Sequence, residues 1–391
     1  MMARIGVVIA VRGDDEAGVV ARVDAHPELS VVRRCADLAE AVAVARAGLG
    51  SVVVLSDQPR LDGDVVAALR AAGAGVVGVA GDDAGARLAA LGVPVPTGDL
   101  AEAVLAAAAT PPPPALEPPA AGGGVAVAVW GTGGAPGRTT VAVNVAAECA
   151  RAGARTLLVD LDTRGASVAS ALGLADESPG VAAVARAAAR GEDPAALLAR
   201  HAVPVGPRLD VLTGLTHPSR WPEITDAALA RLWPALRAAA DVVVVDVAAP
   251  AEPADAGRAT HRDVATVSAL AAADAVIAVG GAEPHQLVRL VHALLDHEGA
   301  TPVVAVNRIR ASVAGERPED AIAAALGRHA GISEVWPLPW DARACDAAAR
   351  DGRVLAEAAP RSPLRRAIAA MATAVVDTAR AARVAAAAVT D

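Results

Sequence analysis

Val125–Thr140, VAVAVWGTGGAPGRTT, is the stretch on which the reading of the whole chain turns. A continuous apolar run breaks into a glycine-rich loop, and the loop passes into an Ala/Val-rich helical pattern. A strand, a glycine loop and a helix N-terminus in that order read as a P-loop, because phosphate oxygens need many donors at short range. Glycine frees backbone N–H groups, the helix dipole adds positive potential, a cation neutralises charge, and a hydroxyl serves Mg²⁺. Gly131, Gly134 and Gly137 supply the turns, Arg138 stands where a lysine is usual, and Thr139 and Thr140 open the helix. A plain glycine turn between a strand and a helix of some other α/β domain is the competing reading of the loop alone. The motifs downstream argue against it.

With 391 residues the chain is too long for one ordinary core and is expected to form two domains. It contains no Lys, Phe or Tyr and two Asn, so the missing P-loop lysine follows a bias of the whole chain. The bias does not soften the chemistry, since Arg is a planar fork and Lys a compact point charge. A net charge of -9 argues against general binding of nucleic-acid phosphates. Cys35, Cys149 and Cys345 are scattered, which suits a reducing cytoplasm and gives neither a disulfide framework nor a metal site. The N-terminal run MMARIGVVIAVRGDDE is too short to span a bilayer and passes directly into a β-α pattern, so no leader is expected.

Residues 1–108 read as one α/β domain. Apolar strands at Ile5–Val11, Leu29–Val32, Ser51–Leu55, Gly75–Ala80 and near Val93 alternate with Ala-rich helices, five units that imply a doubly wound, flavodoxin-like parallel sheet. Residues 109–124 contain PPPPALEPPAAGGG and read as a linker. Residues 125–391 read as a larger α/β domain with a mostly parallel sheet. In it Thr156–Asp160 is a buried strand that ends in Asp160-Leu161-Asp162, two acids that on their own read equally well as caps of the next turn. Asp241–Val247, DVVVVDV, has the form of a Walker B strand, whose Asp246 holds Mg²⁺ through water. Asp274–Gly280 and Pro302–Val306 are further strands around a helix from Pro284 to His297. The second of them ends in Asn307-Arg308. Pro363–Val389 is an Ala-rich helix with no Trp or Phe to enter a bilayer, and packing against the domain is its expected role.

The loop resembles the deviant P-loop of the MinD/ParA superfamily, G-x-K-G-G-x-G-K-[ST]-[ST]. On that pattern Gly133 takes the place of the signature lysine, Ala135 replaces a glycine, Pro136 fills the variable place and Arg138 replaces the phosphate-binding lysine. The resemblance implies ATP and Mg²⁺ as ligands, with Gly131, Gly133, Gly134, Ala135, Pro136, Gly137, Arg138, Thr139 and Thr140 around the phosphates. It implies Thr139, Asp160 and Asp246 at the metal and Asp162 orienting the attacking water, with Arg138 as the catalytic cation. It further implies Asn307, with Arg308 beside it, at the adenine edge. Trp336-Pro337-Leu338-Pro339-Trp340-Asp341 is similar to the P-x-D turn that in relatives passes by the base, although simple packing is the more frequent fate of a tryptophan such as Trp340.

In the first domain, Pro59-Arg60-Leu61-Asp62-Gly63 resembles the turn that follows the phosphoacceptor strand of response-regulator receivers. The acceptor's place, four residues before the proline, is taken by Leu55, with Asp57 two residues late. Asp14-Asp15-Glu16 stands near the place of the metal pair, and the lysine is missing. A non-phosphorylated pseudo-receiver used for docking is the expectation. Pseudo-receiver, linker and ATPase domain together resemble the CpaE/TadZ family of Flp/Tad pilus assembly proteins. That resemblance implies a homodimer formed around ATP, positioned at the inner membrane or cell pole, which serves pilus secretion machinery. With both lysines replaced, weak or absent hydrolysis is expected. Septum-site determination, chromosome partitioning and a nucleotide-independent scaffold stand as the alternatives, DNA binding being disfavoured by charge.

Overall fold

The structure, a computed structural model, describes residues 4–13, 15–80, 84–110, 123–134, 136–174, 180–249, 262–297 and 299–390, with side chains through 385. Asp14, Ala135 and most of the proline-rich stretch, 111–122, lie outside the described residues. The backbone falls into two compact units, Met1–Glu117 with Arg186–Asp193 and Pro118–Ala185 with Pro194–Asp391.

In the first unit β1 (Ile5–Ala10), β2 (Leu29–Arg34), β3 (Val52–Ser56) and β4 (Gly75–Val79) form a parallel sheet in the order β2-β1-β3-β4. Alternation along the central strands fills two cores. Val7, Ile9, Val52 and Val54 go to one, and Val8, Ala10, Val53 and Leu55 to the other. A strand buried on both faces is apolar at every position, which is why these runs read as strands. The helices α1 (Asp15–Asp24), α2 (Leu38–Arg46), α3 (Gly63–Ala71), α4 (Gly85–Ala90) and α5 (Leu100–Ala109) cover the sheet. The expected fifth strand near Val93 is corrected. Val93–Pro96 is not a strand among the described residues, and Pro94 gives its carbonyl to the Gly78 N–H at 2.8 Å. Pro94 and Pro96 have no N–H with which to continue a ladder.

The second unit is built on a sheet of eight strands in the order β12-β11-β10-β5-β9-β6-β8-β7. They are β5 (Val125–Gly131), β6 (Thr156–Leu161), β7 (Val203–Gly206), β8 (Leu209–Leu212), β9 (Val242–Val247), β10 (Ala275–Gly281), β11 (Val303–Ile309) and β12 (Val335–Pro339). All pairs are parallel except β7 with β8. Three of these strands, β7, β8 and β12, did not stand out in the sequence. Leu209–Leu212 is short, and Val335–Pro339 carries two prolines that only an edge strand tolerates. Every residue of β5, β6 and β9 is buried. The helix α6 (Arg138–Arg151) follows the loop and is buried from Val141 to Ala150. Against it lies the C-terminal helix Pro363–Thr390, which buries Leu364, Ile368, Met371, Ala372, Val375, Val376 and Ala379, a stripe at helical spacing. No helix among the described residues is long and apolar enough to cross a membrane. The carboxyl ends of β5, β6, β9, β10 and β11 face one crevice, where open α/β sheets place their ligands.

Candidate functional site

The crevice is organised by the loop between β5 and α6. Gly131 has φ 151, and a Cβ on it would sit 2.1 Å from Val279 O, so only glycine lets β5 leave the sheet this close to β10. Gly134 and Gly137, at φ 95 and 100, take the left-handed conformations of the turn. Four side chains hold the loop by its carbonyls. Arg138 Nη1 donates to Thr132 O at 2.6 Å, Arg289 Nη1 to Gly133 O at 3.5 Å, Gln286 Nε2 to Gly134 O at 3.2 Å and Asn307 Nδ2 to Pro136 O at 2.9 Å. With the carbonyls tied off, the N–H groups of Gly133, Gly134, Gly137 and Arg138 donate to no protein acceptor among the described residues. Unpaired donors gathered at a helix N-terminus form a cradle for an anion.

Beside the cradle stand three carboxylates. Asp246, at the end of β9, is fully buried; its Oδ2 accepts from Thr139 Oγ1 at 2.6 Å, and Ser167 Oγ lies 3.0 Å from the same hydroxyl. Its Oδ1 has no hydrogen-bond partner among the described residues. Burial, and next the Asp160 carboxylate, raise the Asp246 carboxyl well above the ordinary range, against the Thr139 hydrogen bond and the Arg138 charge. Asp160 is also buried, and burial pushes it up to about 7 although backbone N–H groups oppose the shift. Its Oδ2 accepts from Ser167 N and Val168 N, both at 3.0 Å, and its Oδ1 from Asp162 N at 3.1 Å. Asp162 Oδ1 accepts from the N–H groups of Arg164 and Gly165 at 2.8 Å. Both acids therefore cap the turn after β6.

Arg138 does not point into open space. Besides Thr132 O, its Nε donates to Val247 O at 3.2 Å and its Nη2 meets Asp162 Oδ2 at 3.5 Å, with 15% of the side chain exposed. Thr140, in the first turn of α6, gives its carbonyl to Asn144 Nδ2 at 2.8 Å, and Asn144 Oδ1 accepts from Leu355 N at 2.7 Å. Of the two asparagines, Asn144 thus ties α6 to the chain around Leu355, and Asn307 braces the loop. Arg308, at φ 61, and Arg310 lay their guanidinium groups 5.5 and 5.6 Å from the ring centre of Trp340, which is 46% exposed. Sequence reasoning missed Ser167, Gln286 and Arg289. The last two sit in the first half of the Pro284–Leu295 helix, which follows β10, and the rule that ligands gather at strand carboxyl ends was the signal that could have found them.

In the first unit Leu55, four residues before Pro59, is fully buried. Asp57 pairs with Arg87, whose Nη2 also donates to Leu61 O at 2.7 Å. Glu16 pairs with Arg34 at 2.6 Å, and Asp62 caps α3 by accepting from Val65 N at 3.0 Å.

A glycine loop between a central strand and a helix, with its threonine bonded to the aspartate ending the adjacent strand, defines a P-loop α/β nucleotide-binding domain. Residues 127–354, more than half of the chain, match the CobQ/CobB/MinD/ParA nucleotide binding domain, and the chain belongs to that family. Its fold is similar to that of the cell division ATPase MinD of Pyrococcus furiosus, at 17% identity and TM-score 0.51, covering 64% of this chain and 97% of that one. It is likewise similar to a ParA family ATPase from Chlorobium tepidum, at 19% identity and TM-score 0.50, covering 64% and 98%. A third likeness is to the septum site-determining protein MinD complexed with Mg-ADP from Pyrococcus horikoshii, at 18% identity and TM-score 0.50, covering 64% and 95%. No curated protein matches the chain in sequence.

Proposed function

We propose that this chain is an ATP-binding dimer switch that localises or assembles Flp/Tad-type pilus machinery, with slow or absent hydrolysis. One observation carries the nucleotide part. The buried Asp246 keeps one oxygen without a partner among the described residues and shares the other with the hydroxyl that opens the loop helix. A buried carboxylate left half-satisfied is costly, and a hard cation is the partner that such an oxygen takes. Among the described residues no three His, Cys, Asp or Glu converge into an all-protein metal site. That fits Mg²⁺, which takes one or two protein groups and completes its shell with water and phosphate. Thr139 and Asp246 would hold it with Asp160 behind them, and it supplies Lewis-acid stabilisation of phosphate oxygens. The free N–H groups of Gly133, Gly134, Gly137 and Arg138 bind phosphate, and Asp162 orients water.

The same geometry argues for slow turnover. Arg138 shares its charge with Asp162 and two carbonyls, Pro136 has no N–H to give, and position 133 carries no charge. Stabilising the transferred phosphoryl group is most of this catalysis, and losing such a cation costs on the order of 10³ in rate. Those commitments of Arg138 also favour a second reading, a scaffold that does not need nucleotide. We assign residues 1–108 to a docking pseudo-receiver, 109–124 to a linker and 125–391 to the ATPase module. This arrangement, as in CpaE/TadZ proteins, supports the pilus role and peripheral contact with the inner membrane from the cytoplasm. The names of the solved relatives point to septum placement or partitioning as the alternative processes. Calorimetric titration of the full chain with Mg-ATP, beside Asp246→Ala, is the test. The expected result is binding that the variant loses. No binding at millimolar ATP would leave the scaffold.

A further inference from the structure

We propose that Arg289, from the Pro284–Leu295 helix, is the cation that meets the terminal phosphates of the bound nucleotide. The inference rests on the nucleotide reading above. The chain has no lysine, so a cation for the phosphates must be an arginine. Arg138, the loop's own, has all three side-chain nitrogens committed, to Val247 O, Thr132 O and Asp162. Arg310 is paired with Glu283 at 3.0 Å, and Arg164 is held by both oxygens of Asp263 at 2.9 Å.

Arg289 is different. It is exposed, it has no carboxylate partner among the described residues, and its one contact is the long 3.5 Å bond from Nη1 to Gly133 O. The same nitrogen would lie 2.7 Å from a Cβ on Gly134, so the guanidinium already sits beside Gly133 and Gly134, the two residues whose N–H groups are free. Beside Gly133 the space is open, since a Cβ there would meet nothing within 4 Å. Gln286, one turn earlier on the helix, holds Gly134 O at 3.2 Å and takes the Thr132 hydroxyl at 3.3 Å, which fixes the root of the Arg289 side chain against the loop. A phosphate seated on the Gly133 and Gly134 amides therefore comes within reach of a guanidinium with four of its five donors unspent, and the planar fork suits two phosphate oxygens at once. Exchanging a single weak carbonyl contact for charge-assisted bonds is favourable, whereas Arg138 must first leave three acceptors.

The test is calorimetric titration of the full chain and of Arg289→Ala and Arg289→Lys, each with Mg-ATP and with Mg-ADP, after matched thermal melts without ligand. Arg289→Ala is expected to weaken ATP binding about tenfold or more while ADP changes by less than about threefold, and Arg289→Lys to recover part of the loss. Unchanged ATP affinity in Arg289→Ala, or an equal loss for ATP and ADP, overturns the assignment and leaves the nucleotide reading intact. Failure of the unaltered chain to bind ATP overturns both.

Discussion

At the scale of single residues, the crevice concentrates charge where water cannot reach it. Burial raises the Asp160 carboxyl from its ordinary value of 3.8 to about 7 in the folded chain. Between those values Asp160 keeps its proton in the native state and loses it in the unfolded state, so stability falls as pH rises through that window, and Asp246, raised in the same sense, adds to the decline. Urea midpoints of the ligand-free protein measured from about pH 4 to pH 8 should show the decline, and Asp160→Asn should make it shallower, Asp246 supplying the remainder. A midpoint that rises with pH over the same window would contradict the burial of an ionising Asp160. Gly137 is the other decisive residue. Its φ is 100, and a Cβ there would stand 2.4 Å from Asn307 Nδ2, so Gly137→Ala should misplace the brace and weaken Mg-ATP binding by about tenfold or more.

Among elements, the loop is best seen as a strip of backbone pinned by its neighbours. The two asparagines separate pinning from general stability. Asn307→Ala leaves the Pro136 carbonyl without a donor and should cost about 1–3 kcal/mol in denaturant unfolding, with a loss of ATP affinity as well. Asn144→Ala removes the tie to Leu355 N and should cost a similar amount, with ATP affinity kept, because that bond lies behind α6. Equal affinity losses in both variants would mean that neither acts through the loop. The loop and Walker B strand were legible in the sequence because β5 and β9 are buried on both faces and so are apolar throughout. Thr139 and Asp246 sit at the ends of such elements, where spacing alone marks them. Arg138 was legible in position but not in direction, since its bonds to Thr132 O and Val247 O depend on a rotamer. Val335–Pro339 hid as a strand because its prolines speak against one everywhere except at an edge.

For the whole molecule, the proposal makes nucleotide and assembly one equilibrium. Sedimentation of the full chain should shift from monomer to dimer on addition of Mg-ATP, and Asp246→Ala should not shift. A dimer whose population ignores ATP would sink the switch and favour the scaffold. The first unit makes its own prediction. With Leu55 in the acceptor's place and Asp57 paired with Arg87, incubation with a small phosphodonor such as acetyl phosphate should add no phosphate by intact mass. A phosphate on Asp57 would instead make this unit a working receiver.

Sequence alone determined the two α/β units, the phosphate loop, and the carboxylates that end β6 and β9. Those features are written in short-range patterns, namely apolar runs for central strands, glycines for positive φ and an acid or hydroxyl where an element ends. Only the tertiary structure decided that Asn307 braces the loop, that Arg138 turns inward and that Arg289 stands at the loop's mouth. Gln286 reaches Gly134 across 152 residues of chain, and Asn307 reaches Pro136 across 171. No local pattern encodes such a pairing, because it exists only once the sheet has brought the carboxyl ends of β5, β10 and β11 side by side.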